Sequence, residues 1–174
     1  NQVFAVSLPG SPLSPSQRRS VIQVLERELY TPGGLRTLSP RDPKYRGRYE
    51  GTLFERDGAY HNGTAWPWLL GAYAEAILRL EDLPAEHHSL EKRSAGVEMP
   101  SKLARAKAWG VLNPVARELR ARLGHLPEVY DGDHTPERPQ RGGGCAAQAW
   151  SVAEILRATR LLAASPQYTT KNDT

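Results

Sequence analysis

A helical hydrophobic period that returns four times constrains this chain more than any other feature. The first segment runs from about Ser14 to Tyr30. Ser14 suits an N-cap, Pro15 the first helical position, and Gln17 closes a capping box. Val21, Ile22, Leu25 and Leu29 share its apolar face, and Pro32-Gly33-Gly34 stops it. The second segment, Thr64 to Leu80, carries Trp66, Leu69, Leu70, Tyr73, Ile77 and Leu80 on one stripe. Pro67 is tolerable there only in the first turn. In the third, Ser101 to Leu123, Ala104, Ala108, Val111, Leu112, Val115, Leu119 and Leu123 align. Pro114 should kink it, and Gly124 ends it. The fourth, Cys145 to Ala163, repeats Val152, Ile155, Leu156, Thr159 and Leu162 at helix spacing. No strand pair stands out. The expectation is an all-α protein of sequential helix hairpins. Residues 1–164 make up the domain, and 165–174 form a disordered tail.

Antiparallel neighbours put the first and third connections at one end and the second at the other. The first holds Arg36, Arg41, Asp42, Tyr45, Tyr49, Arg56, Asp57, Tyr60, His61 and Asn62. The third holds His125, Glu128, Tyr130, Asp131, Asp133, His134, Arg138 and three consecutive glycines. The second, Leu83 to Pro100, is mostly Glu, Lys and Ser with a His pair. Aromatic and polar chemistry thus gathers at one end. At about thirty residues, the first loop is long enough to be functional rather than a plain connector. A binding face built from both loops and the starts of the second and fourth helices follows.

Composition narrows the classes. The formal net charge is +4 and the pI about 9.4, but no Lys/Arg run exceeds two residues, which argues against nucleic acid. Cys145 is the single cysteine, so no disulfide can form within the chain, and a reducing, cytoplasmic setting is expected. No apolar run approaches the roughly 20 residues of a membrane span. The adjacent His87 and His88 cannot share a helix face, so no metal site is expected there. Gly142-Gly143-Gly144 lacks the preceding strand and Lys-Ser/Thr of a phosphate loop. Those glycines instead suit a loop passing close to a site. No cofactor is expected.

A polar end rich in Asp, Glu, Tyr, Trp, His and Asn, without a metal pattern, suits carbohydrate. Aromatic faces stack on sugar rings, while carboxylates and amides bind hydroxyls in pairs. Hydrolysing a glycosidic bond takes two carboxyl groups, one acid and one base or nucleophile. Four ordered motifs go further. They are Tyr30-Thr31-Pro32-Gly33-Gly34-Leu35-Arg36-Thr37-Leu38-Ser39-Pro40 and Arg56-Asp57-Gly58-Ala59-Tyr60-His61-Asn62-Gly63-Thr64-Ala65-Trp66-Pro67-Trp68, followed by Leu126-Pro127-Glu128-Val129-Tyr130-Asp131-Gly132-Asp133 and Cys145-Ala146-Ala147-Gln148-Ala149-Trp150-Ser151. Together they resemble the C-terminal, amylo-α-1,6-glucosidase domain of glycogen debranching enzymes, from Asn1 to about Leu162. The resemblance implies the C-terminal part of an (α/α)6 barrel, a ring of paired inner and outer helices. It also implies inverting hydrolysis of α-1,6-linked glucose at branch points of glycogen or a related α-glucan. Glu128 occupies the family's general-base position. The family's acid, an Asp earlier in the domain, has no counterpart here, so the remaining barrel, a partner chain or self-association is expected to complete the site and cover exposed helices.

Each residue has a plainer alternative. Glu128 could be a solvated loop acid. Asp57 could pair with Arg56, or bind sugar, or serve as the acid if the chain acts alone. Tyr60, His61 and Asn62 belong to the same motif; His61 could simply brace the helix start. Trp66 lies on the apolar stripe and suits the core, whereas Trp68 lies off it and suits stacking on sugar. Gln148 and Trp150 precede the last stripe and could reach substrate, with packing the alternative for Trp150. Tyr130, Asp131 and Asp133 could orient Glu128 or bind sugar, or form a turn. Arg36 suits bracing the long loop. Two other functions stay open: a non-catalytic glucan-binding or interaction fragment, and a glucosidase of another linkage on the same barrel.

Overall fold

The computed structural model describes residues 1–81 and 101–164. The Leu83–Pro100 connection with its His pair and the 165–174 tail lie outside the described residues. After a single-turn helix α1 (Phe4–Ser7), helix α2 (Pro15–Val24) starts as its residues dictate. The Ser14 side chain accepts from the Gln17 N–H, and the Gln17 side chain accepts from the Ser14 N–H. The final turn widens into π geometry over Leu25–Leu29.

Strands β1 (Tyr30–Thr31) and β2 (Gly34–Arg36) form a tight hairpin, followed by helix α3 (Leu53–Tyr60). A second capping box, Thr52 with Glu55, starts α3. Next come β3 (Ala65–Trp66), α4 (Leu69–Glu81), α5 (Lys102–Ala121), β4 (Val129–Tyr130), β5 (Gly142–Gly143) and α6 (Ala149–Ala163).

Helix α4 is buried nearly all round. Leu69, Leu70, Ala72, Tyr73, Ala74, Ala76, Ile77 and Leu78 all lie in the core. A helix that is apolar on every side must be central, and α4 packs against α1, α2, α5 and α6. From α5 the core takes Ala104, Ala108, Val111, Leu112 and Val115, and from α6 Ile155, Ala158 and Leu162. Pro114 lies inside α5. The carbonyl it deprives of a partner is that of exposed Gly110, where water can serve it. No helix among the described residues is long and apolar enough to cross a membrane.

The all-α expectation needs correcting. The strands form one antiparallel sheet in the order β1-β2-β3-β4-β5. Each strand is two or three residues long, too short for an alternating pattern to register. Long-range backbone pairing, rather than local pattern, makes them strands. Two helix starts also move inward. Thr64 to Trp68 form β3 and a turn before α4, and Cys145 to Gln148 lead into α6. Ala65 and Trp66 find backbone partners in the sheet, and Cys145 and Gln148 find theirs in Glu128 and Leu126.

The sheet ties the first and third connections together. Leu35 pairs with Trp66, Ala65 with Tyr130, and Tyr130 with Gly142. Around it, the Gly132 and Asp133 N–H groups donate to the Gly47 carbonyl (2.8 and 3.0 Å), and Arg46 N–H to Asn62 (2.7 Å). At Gly132 a β-carbon would lie 2.0 Å from the Gly63 carbonyl oxygen, so only glycine allows these backbones to meet.

Candidate active site at the helix-entry loops

Glu128 sits just before β4, half-buried, with its N–H donating to the Cys145 carbonyl (2.8 Å). Its Oε1 accepts from the Tyr60 hydroxyl at 2.6 Å, and its Oε2 from the Cys145 backbone N–H at 3.1 Å. Both donors are neutral. The glycine run makes this contact possible. Gly144 takes a left-handed φ of 69°, and a β-carbon there would strike Glu128 Oε2 at 2.4 Å.

Tyr60 closes α3. Its carbonyl accepts from Thr64 Oγ1 (2.6 Å) and from Trp66 Nε1 (3.3 Å), and Trp66 Nε1 also reaches Thr64 Oγ1 (3.1 Å). Burial, then the bond to Glu128 and its charge, push the Tyr60 phenol well above its usual range. The hydroxyl therefore stays protonated and donates.

Rings continue outward from Tyr60. Tyr49 lies 6.0 Å away on one side, with His61 at 4.7 Å and Trp66 at 5.0 Å on the other. His61 stacks on Trp66 at 5.4 Å and 6°. Trp150 follows Trp66 at 6.4 Å, Trp68 follows Trp150 at 6.3 Å, and Phe4 stacks on Trp68 at 5.6 Å. Trp66 is buried, whereas Trp150 is 49% exposed. Phe4, Trp68 and Trp150 line a groove of about 660 Å³ whose polar edge includes Glu75, Glu154 and Arg157. That size falls within the range of ligand sites.

Asp131, three residues past Glu128, has a different setting. It is 1% exposed. Oδ1 accepts from the Tyr49 N–H (2.8 Å), and Oδ2 from Arg48 (2.9 Å) and Arg141 (3.3 Å). Burial alone would raise its pKa. The Tyr49 N–H and the two guanidinium groups outweigh burial and hold it below the ordinary value. Glu50 extends the network to Arg138 and Arg141. Asp133 accepts from the Tyr45 hydroxyl (2.9 Å). Burial first, then that bond, push the Tyr45 phenol up to about 12.

The sequence-expected residues divide. Tyr60, His61, Trp68 and Trp150 join Glu128 along the ring row. Gln148 is the N-cap residue of α6, its N–H donating to Leu126 (2.8 Å). Asn62 turns its amide onto the Gly58 carbonyl (2.9 Å) at the end of α3. Asp57 is exposed on α3, and Arg56 donates to the Gly51 carbonyl (2.7 Å) instead of pairing with it. Tyr130 points toward α5, lining a separate cavity with Pro114, Val115 and Glu118, and its buried hydroxyl has no hydrogen-bond partner among the described residues. Arg36 donates to the Gly132 and Glu28 carbonyls (2.8 and 3.0 Å), bracing the loop as its position suggests. Sequence reasoning missed Phe4, which precedes the first periodic segment. It also missed Arg48 and Arg141, whose partner lies far along the chain. The Thr52-x-x-Glu55 capping box could have announced α3.

Compared with known families, residues 1–157 match the family model described as amylo-alpha-1,6-glucosidase. The matched span contains Glu128, the whole ring row and the Asp131 network.

Proposed function

The chain belongs to the amylo-alpha-1,6-glucosidase family, and on that premise we propose that it forms part of an (α/α)6 barrel that hydrolyses α-1,6-linked glucose at branch points of glycogen or a related α-glucan. One observation carries the reading: a carboxylate held by neutral donors among the described residues, beside a row of aromatic rings, where two distant loops meet. A base must be held where it can meet water, and the Tyr60 hydroxyl and the Cys145 N–H hold the two oxygens of Glu128 in place.

In the proposed step, Glu128 removes a proton from water as the water oxygen attacks the anomeric carbon. The glycosidic C–O bond breaks, and the leaving oxygen takes a proton from an acid outside this set of residues. The product carries inverted configuration. Acid and base should stand roughly 6.5–9.5 Å apart to admit the water. His61, Trp68 and Trp150 stack on sugar, with Glu75, Glu154 and Arg157 along the polar edge of the groove; Asp57, Asn62 and Gln148 are further sugar contacts expected from their motifs. Asp131 acts indirectly, by fixing the Tyr49 backbone. Exposed Leu103 on α5, and Leu156 and Leu161 on α6, are the surfaces that further barrel helices or a partner would cover.

Glucose release from α-1,6-branched limit dextrin, measured for this chain and for mixtures with a candidate partner, tests the reading. Glu128→Gln should remove release while leaving oligosaccharide binding intact. Unchanged turnover defeats the assignment. Binding without release in every form favours a non-catalytic glucan-binding fragment.

A further inference from the structure

Tyr60 belongs to the sugar-facing motif, yet its hydroxyl points at Glu128 rather than into the open groove. We infer that Tyr60 is a positioning residue for the general base, an inference that rests on the role proposed for Glu128. The two carboxylate oxygens are not equivalent. Oε2 accepts from the Cys145 N–H, beside the exposed backbone of Gly144. Oε1 accepts from the Tyr60 hydroxyl on the more buried side of the carboxylate. A carboxylate oxygen can accept more than one hydrogen bond. Each oxygen therefore keeps a lone pair for water while Tyr60 and the Cys145 N–H fix the plane of the carboxylate.

Tyr60 is well fitted to hold it. A bond of 2.6 Å between a hydroxyl and a carboxylate is short and charge-assisted. Tyr60 itself cannot swing. Thr64 and Trp66 fasten its carbonyl, and Tyr49, His61 and Trp66 flank its ring. A phenol fixes the carboxylate's direction through a single hydrogen bond.

Tyr60→Phe separates this role from a sugar contact, because the ring and its packing remain. In the complete debranching enzyme acting on branched limit dextrin, kcat should fall about 10- to 100-fold, as expected for a lost hydrogen bond to a charged group. KM should stay within about twofold, and binding of a non-hydrolysed oligosaccharide should be unchanged. A second measurement needs no turnover. Proton NMR of the unmodified chain should contain a downfield hydroxyl resonance coupled through space to the Tyr60 ring, absent from Tyr60→Phe and from Glu128→Ala. A raised KM with unchanged kcat would make Tyr60 a sugar ligand and overturn the inference. So would absence of that resonance from the unmodified chain. Full activity in Glu128→Gln would instead remove the base assignment itself. An inactive Glu128→Gln beside a fully active Tyr60→Phe would remove only the positioning role.

Discussion

Glu128 and Asp131 are three residues apart on one loop, yet they occupy opposite electrostatic settings. Asp131 is sealed from solvent and held by Arg48, Arg141 and the Tyr49 N–H. Glu128 is half-buried and held by a phenol and a backbone N–H. A carboxylate beside guanidinium groups is stabilised as an anion, so it serves as a fastener. One bound by a phenol and a backbone N–H is oriented without an ion pair. The contrast supports the proposed division, chemistry for Glu128 and architecture for Asp131, although the sequence offers both as candidates.

Substitution at each residue can break that division. Glu128→Gln should cost about 10²- to 10⁴-fold in kcat, the usual contribution of general acid–base catalysis. Its thermal unfolding should change by no more than about 1 kcal/mol, since the amide keeps the shape. Calorimetry beside the limit-dextrin assay reads both. Asp131→Ala should do the reverse. It leaves the Tyr49 N–H without its acceptor and removes one partner of Arg48, and should cost about 1–3 kcal/mol of stability in urea unfolding. Full stability in Asp131→Ala would undo the comparison.

Gly144→Ala sharpens it. A left-handed backbone and a collision with Glu128 should cost about 1–2 kcal/mol and lower turnover, because the Cys145 N–H can no longer reach Oε2. Unfolding titrations with parallel kinetics read that coupling. Trp150→Ala should weaken oligosaccharide binding by about 0.5–1.5 kcal/mol, the value of a ring contact, with little effect on folding, as isothermal calorimetry can check. Acidification gives the mildest test. The pKa of Asp131 is lower folded than unfolded, so its contribution is complete above the ordinary aspartate value of 3.8 and lost as pH falls through the folded value. Denaturant midpoints measured from pH 7 to pH 3 should hold until about pH 4 and then drop. A midpoint that declines steadily from neutrality would point to other groups.

Much of the fold was legible. Ser14 with Gln17 starts α2, and Ser101 caps α5. The apolar stripes of α4, α5 and α6 are the faces that form the core. The sheet was not legible, because its strands exist only through pairing with distant segments. The loop motifs contain Tyr60, His61, Trp66, Trp68 and Trp150 of the ring row, whereas Tyr49 and Phe4 lie outside them. Tyr130 stands beside Asp131 in the motif, yet its side chain leaves for the cavity beside α5. Nothing in the local pattern foretells that direction.

The sequence by itself determined where helices begin, which residues are apolar enough to form a core, and where aromatic and carboxylate groups concentrate. Those properties depend on neighbours within a turn or two. Only the tertiary structure decided which carboxylate is neutralised and which is left able to react. Tyr60 and Glu128 are 68 positions apart, and Arg48 and Asp131 83. Charge and hydrogen bonding act through space over a few ångströms, so a residue's chemistry is set by groups that the chain order does not place beside it.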